Sequence, residues 1–258
     1  MKIKEVLNYL ELRFPYDLAE DFDFNKIGLT IGNPENEVSG ILCSLDLTLE
    51  AIEEAIDKKC NLIVSHHPFA FSPITKVLEN DEKGALIYKM VKNDISLIAM
   101  HTNMDLGLDG VNDTLCLMLQ LKESNYGINE KKKYIRHGYI EEKTLRELAN
   151  EIKSILSLDG VKVVGDLNTK ITKIGILGGS GGQEYEINSA VNFGCQCYIT
   201  GEIKHHIALY SKFKNICLIE VDHGIEKFVF NKLSKDLRNE FSVNVFVSEI
   251  NSNLFTYL

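Results

Sequence analysis

Five short apolar runs constrain this chain more than any other feature: NLIVS (61–65), ISLIAM (95–100), KIGIL (173–177), CYIT (197–200) and ICLIEV (216–221). Each is too short for a buried helix and too continuous for a strand with one wet face. Each also leads into a helical stretch. Such runs read as interior strands of a parallel sheet covered by helices. Around them, Ile3, Val6, Leu7, Leu10 and Phe14 recur at helical spacing, and Pro15 ends that helix. KIGLTIG (26–32) alternates like a strand, NPEN (33–36) is turn chemistry and VSGILCSL (38–45) is a second strand, so the pair predicts a hairpin. Leu49, Ile52 and Ile56 mark a helix with Thr48 as its cap. Leu86, Met90 and Val91 mark another, and Leu115, Met118 and Leu119 a third near 110–121.

Residues 122–137 are polar and basic, with KKK at 131–133, and read as a linker or surface excursion carrying a solvated charge run. The plan then repeats. Leu145, Leu148, Ile152 and Ile155 mark a helix, VKVVG (161–165) a strand, and SVNVFV (242–247) closes the chain as a further strand. Each half thus reads as a helix, a strand and three strand–helix units. The expected fold is α/β, with duplicated α-β-(βα)3-like repeats over 1–122 and 123–258 and mixed, mostly parallel sheets.

The composition narrows the function classes. Of 258 residues, 45% are hydrophobic, which is ample for a core and argues against disorder. No apolar run approaches a membrane helix, and MKIKEVLNYLELRF carries charges too frequently for a signal peptide. With 28 basic and 37 acidic residues the net charge is −9, which disfavours a broad nucleic-acid surface without excluding a local patch. The six cysteines form no CxxC pair and read as reduced thiols in a cytoplasmic protein; Cys195 and Cys197, a lone CxC, read as core packing rather than metal ligands.

In parallel α/β sheets, ligands bind beyond the carboxyl ends of the strands. The residues there are SHHP with His66 and His67, HTNMD with His101 and Asp105, GGSGG (178–182), GE with Glu202 followed by His205 and His206, and DHGIE with His223 and Glu226. Six of the 7 histidines lie in or just after these loops; only His137 does not. GGSGG lacks the following Gly-Lys-Ser/Thr of a P-loop, so it is equally a phosphate cradle or a tight strand-to-helix turn. His205 and His206 start a helix and are equally exposed surface residues. His66, His67, Asp105, His223 and Glu226 form a mixed imidazole–carboxylate set suited to Zn, Fe, Mn or Co and poorly suited to Ca or Mg. Five ligands exceed the needs of one catalytic ion and fit two ions sharing a carboxylate, an arrangement that creates a nucleophile from water at neutral pH.

SHHP, HTNMD, TGE and the C-terminal His/Glu motif, in this order, resemble the Nif-three-like dinuclear metal-centre family, whose bacterial members are labelled GTP cyclohydrolase 1 type 2 homologues. The resemblance covers nearly the whole chain. It implies two intertwined α/β repeats with a metal site between them. It implies two divalent ions per subunit on His66, His67, Asp105, His223 and Glu226, and a homohexameric ring. Two departures stand out. The family's Trp-Asp-Asn-x-Gly-Leu appears as Phe24-Asn25-Lys26-Ile27-Gly28-Leu29, without its acidic residue, and His223 and Glu226 are three apart where four is the family's spacing. The large insert domain of some relatives is also missing. The expected function is a metal-dependent hydrolase acting on a nucleotide-type substrate, with His101 and Glu202 as proton shuttles. The competing expectation is a non-catalytic metal-binding ring that regulates, handles metal, or binds a partner or nucleic acid.

Overall fold

A computed structural model describes residues 1–127 and 133–258. In chain order the elements are α1 (Ile3–Arg13), β1 (Gly28–Ile31), β2 (Gly40–Ser44), α2 (Leu49–Asp57), β3 (Leu62–Ser65), α3 (Glu82–Lys92), β4 (Ser96–Ala99), α4 (Thr102–Leu106), α5 (Val111–Met118) and β5 (Arg136–Thr144). They continue with α6 (Leu145–Ile155), β6 (Lys162–Val164), β7 (Lys170–Leu177), α7 (Glu184–Asn192), β8 (Cys197–Thr200), α8 (His205–Phe213), β9 (Cys217–Glu220), α9 (Val229–Glu240) and β10 (Asn244–Val247). Short 3-10 turns cover Tyr16–Leu18, Asp21–Asp23 and His223–Phe228. Among the described residues no helix is long and apolar enough to cross a membrane.

The chain forms two compact units. The first joins Met1–Gly107 to Lys227–Ser252; the second comprises Leu108–Glu226 and Asn253–Leu258. Each unit is built on a five-stranded mixed sheet. In the first the order is β1-β4-β3-β2-β10, with β4, β3, β2 and β10 parallel and β1 antiparallel at the edge. In the second the order is β5-β7-β8-β9-β6, with a parallel centre of β7, β8 and β9 and antiparallel edges. The five apolar runs are all interior strands, as their composition requires. Leu42, Ile63 and Leu97 from three neighbouring strands pack with Ile52, Leu86 and Met90 in the first core. Tyr198, Leu218 and Ile187 anchor the second. Thr48 does cap α2, its hydroxyl accepting from Ala51 N at 3.1 Å.

Three expectations give way. The 26–32/38–45 hairpin does not form. β2 is buried at every residue and takes parallel partners on both sides, Ile41 opposite Leu62 and opposite Val245. β1, only partly buried, goes to the edge beside β4. The 1–122/123–258 division also shifts. The helix near 110–121 packs on β5 and β7, and Asp113 pairs with Arg136, both fully buried, which ties α5 to the second unit. SVNVFV completes the first sheet rather than closing the second half, since β10 pairs with β2. Finally, the supposed linker over 122–137 runs into β5, whose first two residues are Arg136 and His137. The charged sequence RHGYIEEKT suits an edge strand whose one strand partner among the described residues is β7, its other side bridged to Lys122 at Tyr139. Lys131 and Lys132 of the KKK run lie outside the described residues.

Candidate metal-binding clusters

In the first unit three adjacent parallel strands deliver chemistry at their carboxyl ends. β2 leads to Asp46, β3 to His66 and His67, and β4 to His101 and then Asp105. Sheet hydrogen bonding extends into these loops, His66 N donating to Ser44 O at 3.2 Å and His67 N to Leu45 O at 3.0 Å. The three imidazoles converge: one nitrogen from each of His66, His67 and His101 lies within 4.8 Å of the others. Asp105 sits one turn beyond His101 on α4, its N–H donating to His101 O at 3.1 Å. Its carboxylate reaches 3.5 Å from His66 Nε2.

Two of these rings are held by carboxylates. His67 Nδ1 meets Asp46 Oδ1 at 2.7 Å, and His101 Nδ1 lies 2.9 Å from both oxygens of Asp23. A carboxylate at Nδ1 fixes the tautomer and aims Nε2 outward as a ligand or base. Asp23 is fully buried. Burial pushes its carboxyl up, but His101 and the Thr102 hydroxyl and N–H outweigh it and hold the group below the usual carboxylate range.

The second unit repeats the device. Glu202, after β8, accepts from His223 Nδ1 at 2.6 Å and from Ser180 Oγ at 2.9 Å. Burial raises the Glu202 carboxyl, yet His223 and Ser180 leave it below its ordinary value. His223 Nε2 then lies 3.1 Å from Glu226 Oε2, and Glu226 is buried. The spacing of three is resolved by the backbone. Residues 223–228 form a 3-10 turn, with three residues per turn, so i and i+3 superimpose.

GGSGG is part of this second cluster. Gly179 has φ +60°, and a Cβ there would strike Glu226 Oε1 and stand 3.4 Å from His223 Nε2. A Cβ on Gly201 would meet Gly179 O at 2.6 Å. The glycines therefore let two loops close against the His223–Glu226 pair, which is a packing role; Gly178 N is bonded to Asn112 Oδ1 at 2.9 Å.

The structure thus gathers His66, His67, His101 and Asp105 in the first unit, and Glu202, His223 and Glu226 in the second. His205 and His206 are exposed at the start of α8 and join neither cluster, while His137 stacks on Phe193 with ring centroids 4.3 Å apart. All six cysteines are buried free thiols, so Cys195 and Cys197 are core residues. Asp23 and Asp46 are absent from the sequence reading. Asp46 had a signal, standing directly past a strand end. Asp23 had only its position two residues before Asn25, the site of the departure from the family pattern, and its carboxylate meets His101 Nδ1.

Among the described residues, the donor groups brought together here, such as His66, His67 and His101, could hold a metal ion. Buried His66 and Glu226 fit that use better than a solvated surface role, because a buried titratable side chain needs a charge partner.

Comparison with known proteins identifies relatives over nearly the whole chain. A Staphylococcus aureus (strain MSSA476) protein named GTP cyclohydrolase 1 type 2 homolog is 29% identical, with all of both chains covered. A Clostridium acetobutylicum protein of the same name is 32% identical over 86% of this chain and 84% of its own. Among solved structures, Staphylococcus aureus protein SA1388 superposes with a TM-score of 0.92 at 31% identity, covering 100% of this chain and 99% of that one. A Bacillus cereus protein related to NIF3 shares the fold, with a TM-score of 0.93 at 24% identity over 100% and 99% of the two chains. The family model Duf34/NIF3 (NGG1p interacting factor 3) matches residues 1–254, and this chain belongs to that family.

Proposed function

We propose that the chain is a divalent-metal-dependent hydrolase of nucleotide-type substrates, with His66, His67, Asp105, His223 and Glu226 as ligands of a dinuclear Zn, Fe or Mn centre. The observation that carries this reading is the threefold use of a carboxylate on a histidine Nδ1: Asp46 on His67, Asp23 on His101 and Glu202 on His223. Histidines that merely pack need no such orientation, whereas histidines that ligate or transfer protons do. Bound divalent ions lower the pKa of water and so supply a nucleophile at neutral pH. The ligands contain no cysteine, which suits an open catalytic site better than a closed structural one.

The chain's own residues divide the remaining work. Asp23 holds the Nδ1 proton of His101, so His101 Nε2 accepts and returns protons. Glu202 holds His223 in one tautomer and acts as a positioning residue rather than a shuttle. The relatives' name suggests the substrate: water adds at the imidazole-ring carbon of guanine in GTP, and a second water releases that carbon as formate.

The test is formate release from GTP by Zn-, Fe- or Mn-loaded protein, with Asp105→Ala as control. Release that vanishes in the variant, together with a fall in bound metal, supports the reading. Release that persists refutes the site, and no release with any of the three metals refutes the cyclohydrolase assignment. By resemblance the assembly is a homohexamer, testable by light scattering. Six reduced thiols suit a cytoplasmic location.

A further inference from the structure

Beside the first-unit cluster stand two phenylalanines that the hydrolase reading does not use. Phe22 is 56% exposed and Phe71 is 52% exposed. They come from the loops that carry the chemistry. Phe22 adjoins Asp23, and Phe71 follows His66 and His67 in the same loop. Both rings make T-shaped contacts with the His101 imidazole, at centroid distances of 6.3 and 5.6 Å and interplanar angles of 70° and 69°. Roughly half of each phenylalanine remains open to solvent. What lies over them is a cation: Lys26 Nζ is 5.7 Å from the Phe22 centroid and 5.8 Å from the Phe71 centroid.

We infer that Phe22, Phe71 and Lys26 form the recognition patch for the substrate, and that they take a planar anionic heterocycle of the purine-nucleotide class. This rests on the hydrolase reading and names its substrate class. A simple phosphoester would find no use for two exposed rings, and an uncharged ring would find none for the lysine. An exposed ammonium–ring contact is weaker than stacking of a base on an aromatic side chain. An incoming base therefore displaces Lys26 from the rings. The freed ammonium, on its flexible stem, then meets the phosphates. In a chain of net charge −9, a cation held at this rim offsets the general repulsion of an anionic substrate. The imidazole in contact with both rings is His101, so a stacked base is delivered beside the residue assigned to proton transfer.

The experiment is calorimetric titration of metal-loaded protein with GTP, ATP and inorganic triphosphate. It uses the wild type, Phe22→Leu/Phe71→Leu and Lys26→Met, with metal content and thermal melts confirming that each variant is intact. Wild type is expected to bind a purine nucleotide more tightly than triphosphate. The double leucine variant should lose at least about tenfold in nucleotide affinity while keeping its triphosphate affinity, and Lys26→Met should weaken both ligands. Equal nucleotide affinity in wild type and the double variant overturns the patch. So does a wild type that binds triphosphate as tightly as GTP and ATP. The hydrolase reading is scored separately by turnover. Phenylalanine-dependent binding without turnover sinks the hydrolase and keeps the patch, and turnover with an unchanged KM in the double variant does the reverse.

Discussion

Gly179→Ala separates folding from metal binding. The residue has φ +60°, and for an L-residue that conformation costs about 1–2 kcal/mol. The new methyl would overlap Glu226 Oε1 and stand 3.2 Å from Glu226 Cδ. Because the clashing atom is the free end of a flexible side chain, it can retreat without moving the backbone, so little folding energy is added. Restoring ordinary contact requires the carboxylate oxygen to move by about 1 Å, against a tolerance of about 0.2 Å in metal–ligand distances. The variant should therefore fold with a modest loss of stability, yet lose about 10–100-fold in metal affinity, the range seen when the surroundings of a ligand are disturbed. Competition with a fluorescent zinc chelator reads the affinity, and a chemical denaturation curve of the metal-free protein reads the stability. Gly201→Ala is the contrasting control. Its Cβ would meet backbone, Gly179 O at 2.6 Å and His223 Cα at 3.1 Å, so stability should suffer first. A folded Gly179→Ala protein with wild-type zinc affinity would refute the claim that Glu226 is a ligand held against this glycine.

Other outcomes follow from the same geometry. Glu202→Gln, which keeps the shape and removes the charge opposite His223 Nδ1, should lower metal affinity about 10–100-fold in the same competition assay. Asp113→Ala leaves Arg136 buried without its carboxylate and should cost about 3–5 kcal/mol in urea unfolding, while the double replacement Asp113→Leu/Arg136→Leu should cost less. Burial pushes the Asp236 carboxyl up, but Lys232 and Arg13 outweigh it and hold it low. Its contribution is thus present above the unfolded value of about 4 and is lost as pH falls through the lower folded value; Asp236→Asn should flatten that acid limb in unfolding curves. Burial raises the Cys43 thiol to about 12 and those of Cys60 and Cys195 to about 11, so Ellman's reagent at pH 8 should label these cysteines only after unfolding.

The interior of both sheets was legible because hydrophobic continuity is a local signal. NLIVS and CYIT announce their burial without knowledge of their partners. The candidate ligands were legible for a related reason: strand ends in parallel sheets are where such residues collect. What escaped was non-local. Nothing inside SVNVFV says that its partner is β2, about two hundred residues earlier in the chain. Edge strand β5 carries charges because one side meets no strand, and the polar stretch read as a linker over 122–137 took in its first two residues. Asp23 and Asp46 are ordinary turn carboxylates by sequence; only the fold brings them to imidazole nitrogens. The 3-10 turn at His223 sets residues three apart above one another and so accommodates a spacing one shorter than the family's.

The return of residues 227–252 to the first unit bears on how the chain is made. A ribosome releases the amino end first, yet the sheet begun by β1–β4 lacks its outer strand until the last few residues have emerged. Through most of synthesis, the β2 edge stands open while the continuous 108–226 stretch has all the strands of its own sheet. An open edge on a strand that the folded protein buries at every residue is a template for pairing with another nascent chain. Loss of β10 to a premature stop or to carboxyl-terminal proteolysis should therefore turn a soluble product into an aggregating one, even with every candidate metal ligand still present.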